Sequence, residues 1–227
     1  MSDSLPALDA AKTSKFLDAE YDWRKRLPPQ HDRLRRTLAL LPEGVESVLD
    51  VGVGEGTWLA LLAAERCGTR FGALDLSRQR LLDLPVLQAD GTRPLRVLGD
   101  ACAMPLRDGS FDTVTLLEVI EHIPDWRGVV REALRVARSR VIVTVPCREM
   151  LFDTVCVHCH QPTPLWGHIH SFDERSLDEF SDAASIVVGR LPRLLAPTDG
   201  SWLRNLYRRL RPATGWLSFR LEKKQGR

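Results

Sequence analysis

The sequence predicts an α/β domain on a doubly wound, mostly parallel sheet, with a Cys/His-rich insertion late in the chain. Three observations predict it. Several strand-like runs are apolar throughout instead of alternating, as strands buried on both faces are. Helical segments lie between those runs, the βαβ pattern of a parallel sheet. The first run ends in a glycine cluster that opens a helix.

The strands come first. Ser47 to Val51 is short, apolar and followed by glycines. Phe111 to Leu117 is rich in β-formers and follows the turn Arg107-Asp108-Gly109, and Arg140 to Val145 is almost wholly β-branched before Pro146. Arg70 to Leu74, leading into Asp75, and Leu95 to Leu98, leading into Gly99-Asp100, are shorter candidates. Helices are predicted over Thr57 to Cys67, over Ser77 to Leu84 with Ser77 as cap, and over Trp126 to Arg138. In the last of these Val129, Val130, Ala133, Leu134 and Ala137 fall at helical spacing. Ser14 to Leu41 reads as two helices broken at Pro28-Pro29, and Asp173 to Ala184 as a helix capped by Ser171 or Asp173.

Bulk composition narrows the class. At 227 residues, 44% hydrophobic and 27% charged, the chain suits one globular domain with terminal elaborations. A net charge of +2 gives no ground for nucleic acid as partner. Met1 to Asp9 is polar and acidic, without the basic start and apolar stretch of a signal peptide, and no run approaches a membrane span. A cytoplasmic protein is expected. The five cysteines, two of them in a C-x-x-C pair, then suggest a metal pair more than a disulfide framework.

The glycine cluster carries the chemistry. In Asp50-Val51-Gly52-Val53-Gly54-Glu55-Gly56 the glycines let the backbone turn sharply and approach a ligand closely. The dinucleotide-binding fingerprint would need its third glycine at 57, which is Thr57. Glycine at 56 with an acid at 50 instead resembles motif I of the class I S-adenosylmethionine-dependent methyltransferases, D/E-x-G-x-G-x-G. Four further segments agree with that family in order: Asp75 ending the second strand, Gly99-Asp100-Ala101 after the third, Asp108-Gly-Ser-Phe-Asp112 before the fourth, and Leu117-Glu118-Val-Ile-Glu121-His122 after it. The resemblance runs from about Val45 to Pro146. It implies a Rossmann-like fold that binds S-adenosylmethionine through Asp50, Gly52, Gly54, Gly56, Asp75, Leu76, Asp100, Ala101 and Glu118. Asp75 would take the ribose hydroxyls, and Asp100 with the Ala101 N–H the adenine. Asp50 would orient the loop and the methionine moiety, or simply bond backbone amides of the turn.

Methyl transfer from a sulfonium is a displacement at an already activated carbon, so most of the catalysis lies in positioning the two reactants. A base is needed only where the acceptor loses a proton. His122 is the candidate, being placed after the fourth strand where the acceptor should lie. The alternative is that Glu121 and His122 only hydrogen-bond the loop. The Glu118-x-x-Glu121-His122 spacing also resembles the segment with which ubiquinone-type O-methyltransferases bind a divalent cation, although the same letters occur widely without one.

Cys156-Val-His158-Cys159-His160, followed by Trp166-Gly167-His168-Ile-His170-Ser-Phe172, is dense in soft donors. Cys156, Cys159, His168 and His170 would close a tetrahedral structural zinc site, with His158 and His160 as competing donors. The other reading leaves the thiols free and lines an acceptor pocket with the histidines. Cys67, Cys102 and Cys147 read as ordinary packing residues.

Leu203 to Arg227 carries Arg204, Arg208, Arg209, Arg211, Arg220, Lys223, Lys224 and Arg227 against Glu222. Trp202 to Leu210 has the spacing of a basic amphipathic helix, either packed on the domain or facing a membrane surface or anionic acceptor. The layout expected is N-terminal helices over 1–44, with Tyr21 and Trp23 in a lid or in core packing, a core over 45–200 with its insert at about 147–172, and a basic helix or tail over 201–227. The expected activity is methylation of a small-molecule acceptor in a biosynthetic pathway. Methylation of protein, peptide or RNA, and a non-catalytic zinc-containing binding protein on the same fold, are the alternatives.

Overall fold

A computed structural model describes residues 31–66, 68–84, 93–156, 159–191 and 215–224. In chain order the elements are α1 (His31–Leu38), β1 (Ser47–Val51), α2 (Thr57–Glu65), β2 (Arg70–Asp75), α3 (Arg78–Asp83), β3 (Leu95–Leu98), β4 (Phe111–Leu117), α4 (Trp126–Val136), β5 (Ala137–Pro146), β6 (Asp153–Val155), β7 (Pro162–Pro164), β8 (Ala184–Leu191) and β9 (Trp216–Lys223). Seven strands form one sheet in the order β3-β2-β1-β4-β5-β9-β8, and β6 and β7 make a separate hairpin. The five strands from β3 to β5 are parallel, whereas β9 runs antiparallel to both of its neighbours.

The apolar strands are apolar because both faces are covered. Leu49, Val51, Val114, Leu116, Val141 and Val143 pack with α4 on one face. Val48, Phe71, Ala73 and Ile142 pack with α1, α2 and α3 on the other. Leu59 and Leu62 of α2 are fully buried there, each contributing about 2 kcal/mol of apolar transfer. Asp125 caps α4 by accepting a hydrogen bond from the Gly128 N–H at 2.9 Å, and Ser77 caps α3 through the Arg80 N–H at 3.2 Å.

The expected core elements are found, with shifted ends. α4 stops at Val136 because Ala137 is already extended, at φ −70° and ψ 135°, and leads straight into β5. Two expectations fail outright. Residues 173–184 do not form a helix, only a short 3-10 turn at Asp178–Phe180. The Asp173 carboxylate instead accepts from the Arg175 N–H at 3.0 Å and the Ser176 hydroxyl at 2.9 Å, a tight local turn that competes with helix. The second concerns the basic helix or tail expected over 201–227: its residues 216–223 are strand β9, an interior strand of the sheet. The proposed helix over Trp202 to Leu210, the lid residues Tyr21 and Trp23, and Cys67 lie outside the described residues. Among those residues no helix is long and apolar enough to cross a membrane.

Candidate active site

Parallel strands deliver their C-terminal ends to one edge of the sheet, where ligands of such folds bind. Gly52 after β1, Asp75 ending β2, Asp100 after β3 and Glu118 after β4 all reach that edge. A shallow recess lined by Glu43, Glu46, Asp112 and Arg138 lies at the opposite edge, away from these groups.

Gly52 has φ +72°, and its N–H donates to the Leu74 carbonyl at 2.8 Å. A Cβ there would come within 2.7 Å of Val119 Cγ2, so the turn admits only glycine. Gly54, at φ +55°, has nothing within 4 Å of its Cβ position, so its backbone borders open space. Gly56, at φ +73°, begins α2. Asp50 lies beneath the loop, 3% exposed, accepting from the Thr115 hydroxyl at 2.7 Å. Burial pushes its carboxyl up to about 7; the Thr115 bond and Arg33 oppose the rise, and Asp75 adds to it. Asp50 therefore supports the loop from within the sheet.

Asp75 is buried and accepts from the Ser77 N–H at 2.8 Å, with Arg80 Nη1 3.9 Å from its second oxygen. Leu76 beside it is half-buried. Asp100 is exposed and accepts from the Cys102 N–H at 2.8 Å, and Ala101 packs into the core. Cys102 is half-buried; its thiol is pushed up to about 11 by burial and by Asp100, which keeps it protonated and inert.

Glu118, at φ +59°, is held by three elements. Arg33 of α1 lies 3.3 Å from its carboxylate, Thr144 of β5 donates at 3.2 Å, and the Trp216 indole N–H of β9 donates to the other oxygen. Arg33 also bonds Thr144 Oγ1 at 3.1 Å and lies over the Trp216 ring. Burial raises the Glu118 pKa against these partners. Both carboxylate oxygens are thus held by protein partners.

The insertion comes back to the site. The Ile169 N–H donates to the Glu121 carbonyl at 2.9 Å, and the Gly167 carbonyl lies 3.2 Å from His122 Nδ1. Gly167, at φ +73°, allows this approach: a Cβ would lie 3.4 Å from that nitrogen. His168 stands edge-on to His122, ring centroids 4.7 Å apart, with its own Nδ1 against Glu149. Glu121 is fully buried, and neither carboxylate oxygen has a hydrogen-bond partner. Its own backbone N–H lies near, outside hydrogen-bonding geometry. Burial first, and then Glu118, raise its pKa well above the ordinary carboxylate value, the backbone N–H opposing.

The tetrahedral set of Cys156, Cys159, His168 and His170 is not formed. The pairing of Val155 with Pro162 puts Cys156 and Cys159 at the tip of the β6–β7 hairpin, and His168 and His170 follow its other end. His168 turns to Glu149 and His122, and His170 to the Ile123 carbonyl at 3.1 Å. Among the described residues, the donors that do converge are Glu121, His122 and His168, one ligand atom from each lying within 4.8 Å of the others.

Arg33, Thr115, Thr144, Glu149 and Trp216 escaped the sequence reading. Arg33 is one arginine among several in HDRLRRTL, and its role appears only once α1 is docked. Trp216 had a signal: Leu217, Phe219 and Leu221 alternate with Ser218, Arg220 and Glu222, a strand pattern within a basic stretch.

Residues 49–145 match the family model described as a methyltransferase domain, and the fold is that of the class I methyltransferases. The ubiquinone biosynthesis O-methyltransferase of Ralstonia nicotianae is 31% identical over 132 residues, 54% of this chain and 55% of that protein. The 2-methyl-6-phytyl-1,4-hydroquinone methyltransferase of Synechocystis sp. is 27% identical over 191 residues, 80% of this chain and 59% of that one. The chain thus spans less than two thirds of the length of these relatives. Among solved structures, the 1,6-didemethyltoxoflavin-N1-methyltransferase of Burkholderia thailandensis superposes with a TM-score of 0.65 at 18% identity, covering 98% of this chain and 93% of that one.

Proposed function

We propose that the chain is an S-adenosylmethionine-dependent methyltransferase acting on a small-molecule acceptor. The observation that carries this is the C-terminal edge of the sheet. A glycine turn with open space over Gly54 stands beside the buried carboxylate of Asp75 and the exposed one of Asp100. Gly52, Gly54 and Gly56 would let the cofactor approach the backbone, with Asp50 fixing the turn from below. Asp75 and Leu76 would hold the ribose end, and Asp100 and Ala101 the adenine. Glu118 would act one step removed, bracing the post-β4 segment. When bound, S-adenosylmethionine supplies an electrophilic methyl group on sulfur.

The protein's task is to hold a nucleophile near that carbon, at ~3–3.5 Å, and to exclude water. His122 and the returning insertion form the wall beyond β4, where an acceptor would sit. His122 is the group placed to receive a proton from a hydroxyl acceptor. Phe152 and Trp166, both exposed on the insertion, give that side an apolar rim. With two relatives named for quinone-type rings, phenolic and ring-carbon acceptors are the first to screen. A reducing cytoplasmic setting suits the described cysteines, none of which is in a disulfide.

Calorimetric titration with S-adenosylmethionine and S-adenosylhomocysteine tests the reading. Micromolar binding that is lost in Asp75→Ala, with the fold intact by circular dichroism, is the expected result. No binding by folded wild-type protein overturns it.

A further inference from the structure

We propose that Cys156 and Cys159 form half of a zinc site, completed by the same two cysteines of a second copy of this chain. The site is independent of the methyl-transfer reading. Three observations carry it.

The first is the turn that holds the pair. The His160 N–H donates to the Cys156 carbonyl at 2.8 Å, and the Cys156 N–H donates to the Gln161 carbonyl at 2.9 Å. A bond from residue i+4 back to residue i encloses one helix-like turn, in which the side chains of i and i+3 share a face about 5–6 Å apart at Cβ. Two thiolates so placed can share one ion at Zn–S distances of about 2.3 Å. Cys159 is exposed and Cys156 half-buried, and neither is in a disulfide.

The second is that the chain supplies only these two ligands. His168 turns to Glu149 and His122, and His170 to the Ile123 carbonyl. Among the described residues no third Cys, His, Asp or Glu donor converges on the pair. Structural zinc is closed by four ligands, so the pair stands two short.

The third is where the pair sits. β6 and β7 pair with each other and belong to no larger sheet, and all three residues of β6 are exposed. Val155, beside Cys156, is 61% exposed. The tip is thus open to a second chain. An isolated two-stranded hairpin is also marginal in water, and a metal at its tip supplies a tie.

A two-fold axis through the ion brings up the missing half with no other component. Four thiolates then surround the zinc, with Val155 of each copy beside it. Each thiol gives up its proton to solvent on binding, and no oxidation is involved. An all-sulfur shell selects zinc over calcium or magnesium, which prefer oxygen.

The test is the metal content and molecular mass of the full chain under reducing conditions. Chelator-stripped protein is loaded with zinc, desalted, assayed for metal and sized by light scattering. Wild type should retain about half an equivalent of zinc per chain more than Cys156→Ser/Cys159→Ser does. Its mass should double on loading and fall back with EDTA, and the serine variant, folded by circular dichroism, should show neither change. Cobalt(II) titration of wild type gives a second readout that needs no mutation. Strong sulfur-to-cobalt charge transfer that reaches its end point at about half an equivalent supports the site. One equivalent per chain in a monomer places the metal within a single chain and overturns the proposal. No uptake beyond that of the serine variant, or a mass that ignores zinc and EDTA, overturns it equally.

Discussion

Replacing Asp50 by Asn should remove a pH-dependent loss of stability whose size follows from the burial of that carboxyl. Asp50 is 3% exposed, and burial carries its pKa from the ordinary 3.8 to about 7. Below about pH 4 the group is protonated in folded and unfolded chains alike, and its contribution to stability is complete. As pH rises, the unfolded chain ionises first while the folded one keeps its proton. Stability then falls by ~1.4 kcal/mol per pH unit until the folded group ionises near pH 7. Over that window the loss comes to about 4 kcal/mol. Asparagine keeps the shape and the acceptor for Thr115 but has nothing to titrate. Glu118 and Glu121 also have raised pKa values, but they are common to both proteins and cancel in the difference. Urea unfolding of wild type and Asp50→Asn, compared across about pH 4 to 8, reads the effect directly. The stability difference should move in favour of the variant by several kcal/mol as pH rises and level off above about 7. A difference that stays flat refutes the assignment of a buried, high-pKa carboxyl at Asp50.

Other outcomes follow from the same geometry. Gly52→Ala places a Cβ 2.7 Å from Val119 Cγ2 at a φ of +72°, so it should lose about 2–4 kcal/mol in denaturant unfolding. Adding Val119→Ala should recover only the steric part. Trp216→Phe removes the indole donor from buried Glu118 and should cost about 1.5–3 kcal/mol. In Glu118→Gln the same tryptophan change should cost clearly less, and a double-mutant cycle with no coupling would deny the bond any role.

Much of the parallel half of the fold was legible because backbone geometry constrains it most tightly there. Positive φ at 52, 54 and 56 leaves glycine as the residue that fits, and buried parallel strands such as Ser47–Val51 and Phe111–Leu117 read as unbroken apolar runs. The antiparallel half was harder. Residues 184–191 hold Ile186-Val187-Val188, a plain strand signal that went unread beside the helix expected just before it. In residues 216–223 the arginine and the lysine masked an alternation that was present throughout. At the site, composition showed that histidines mattered but not which carboxylates they would meet. Glu121 and His168 are brought together by long-range contacts, the backbone bond from Ile169 to Glu121 among them, that have no local pattern.

The position of β9 between β5 and β8 also dictates an order of assembly. Arg140 and Glu222, paired across β5 and β9, are 82 residues apart in sequence, so the sheet cannot be completed by local steps. During synthesis β1 to β5 are made well before their last neighbour, and β5 must wait as an open edge with unpaired backbone groups. Glu118 waits with it, since the indole that grips it arrives on β9. Closing the sheet and stiffening the segment that leads to His122 are therefore one event, and a nascent chain stalled before residue 216 would carry the glycine loop without the brace beside it.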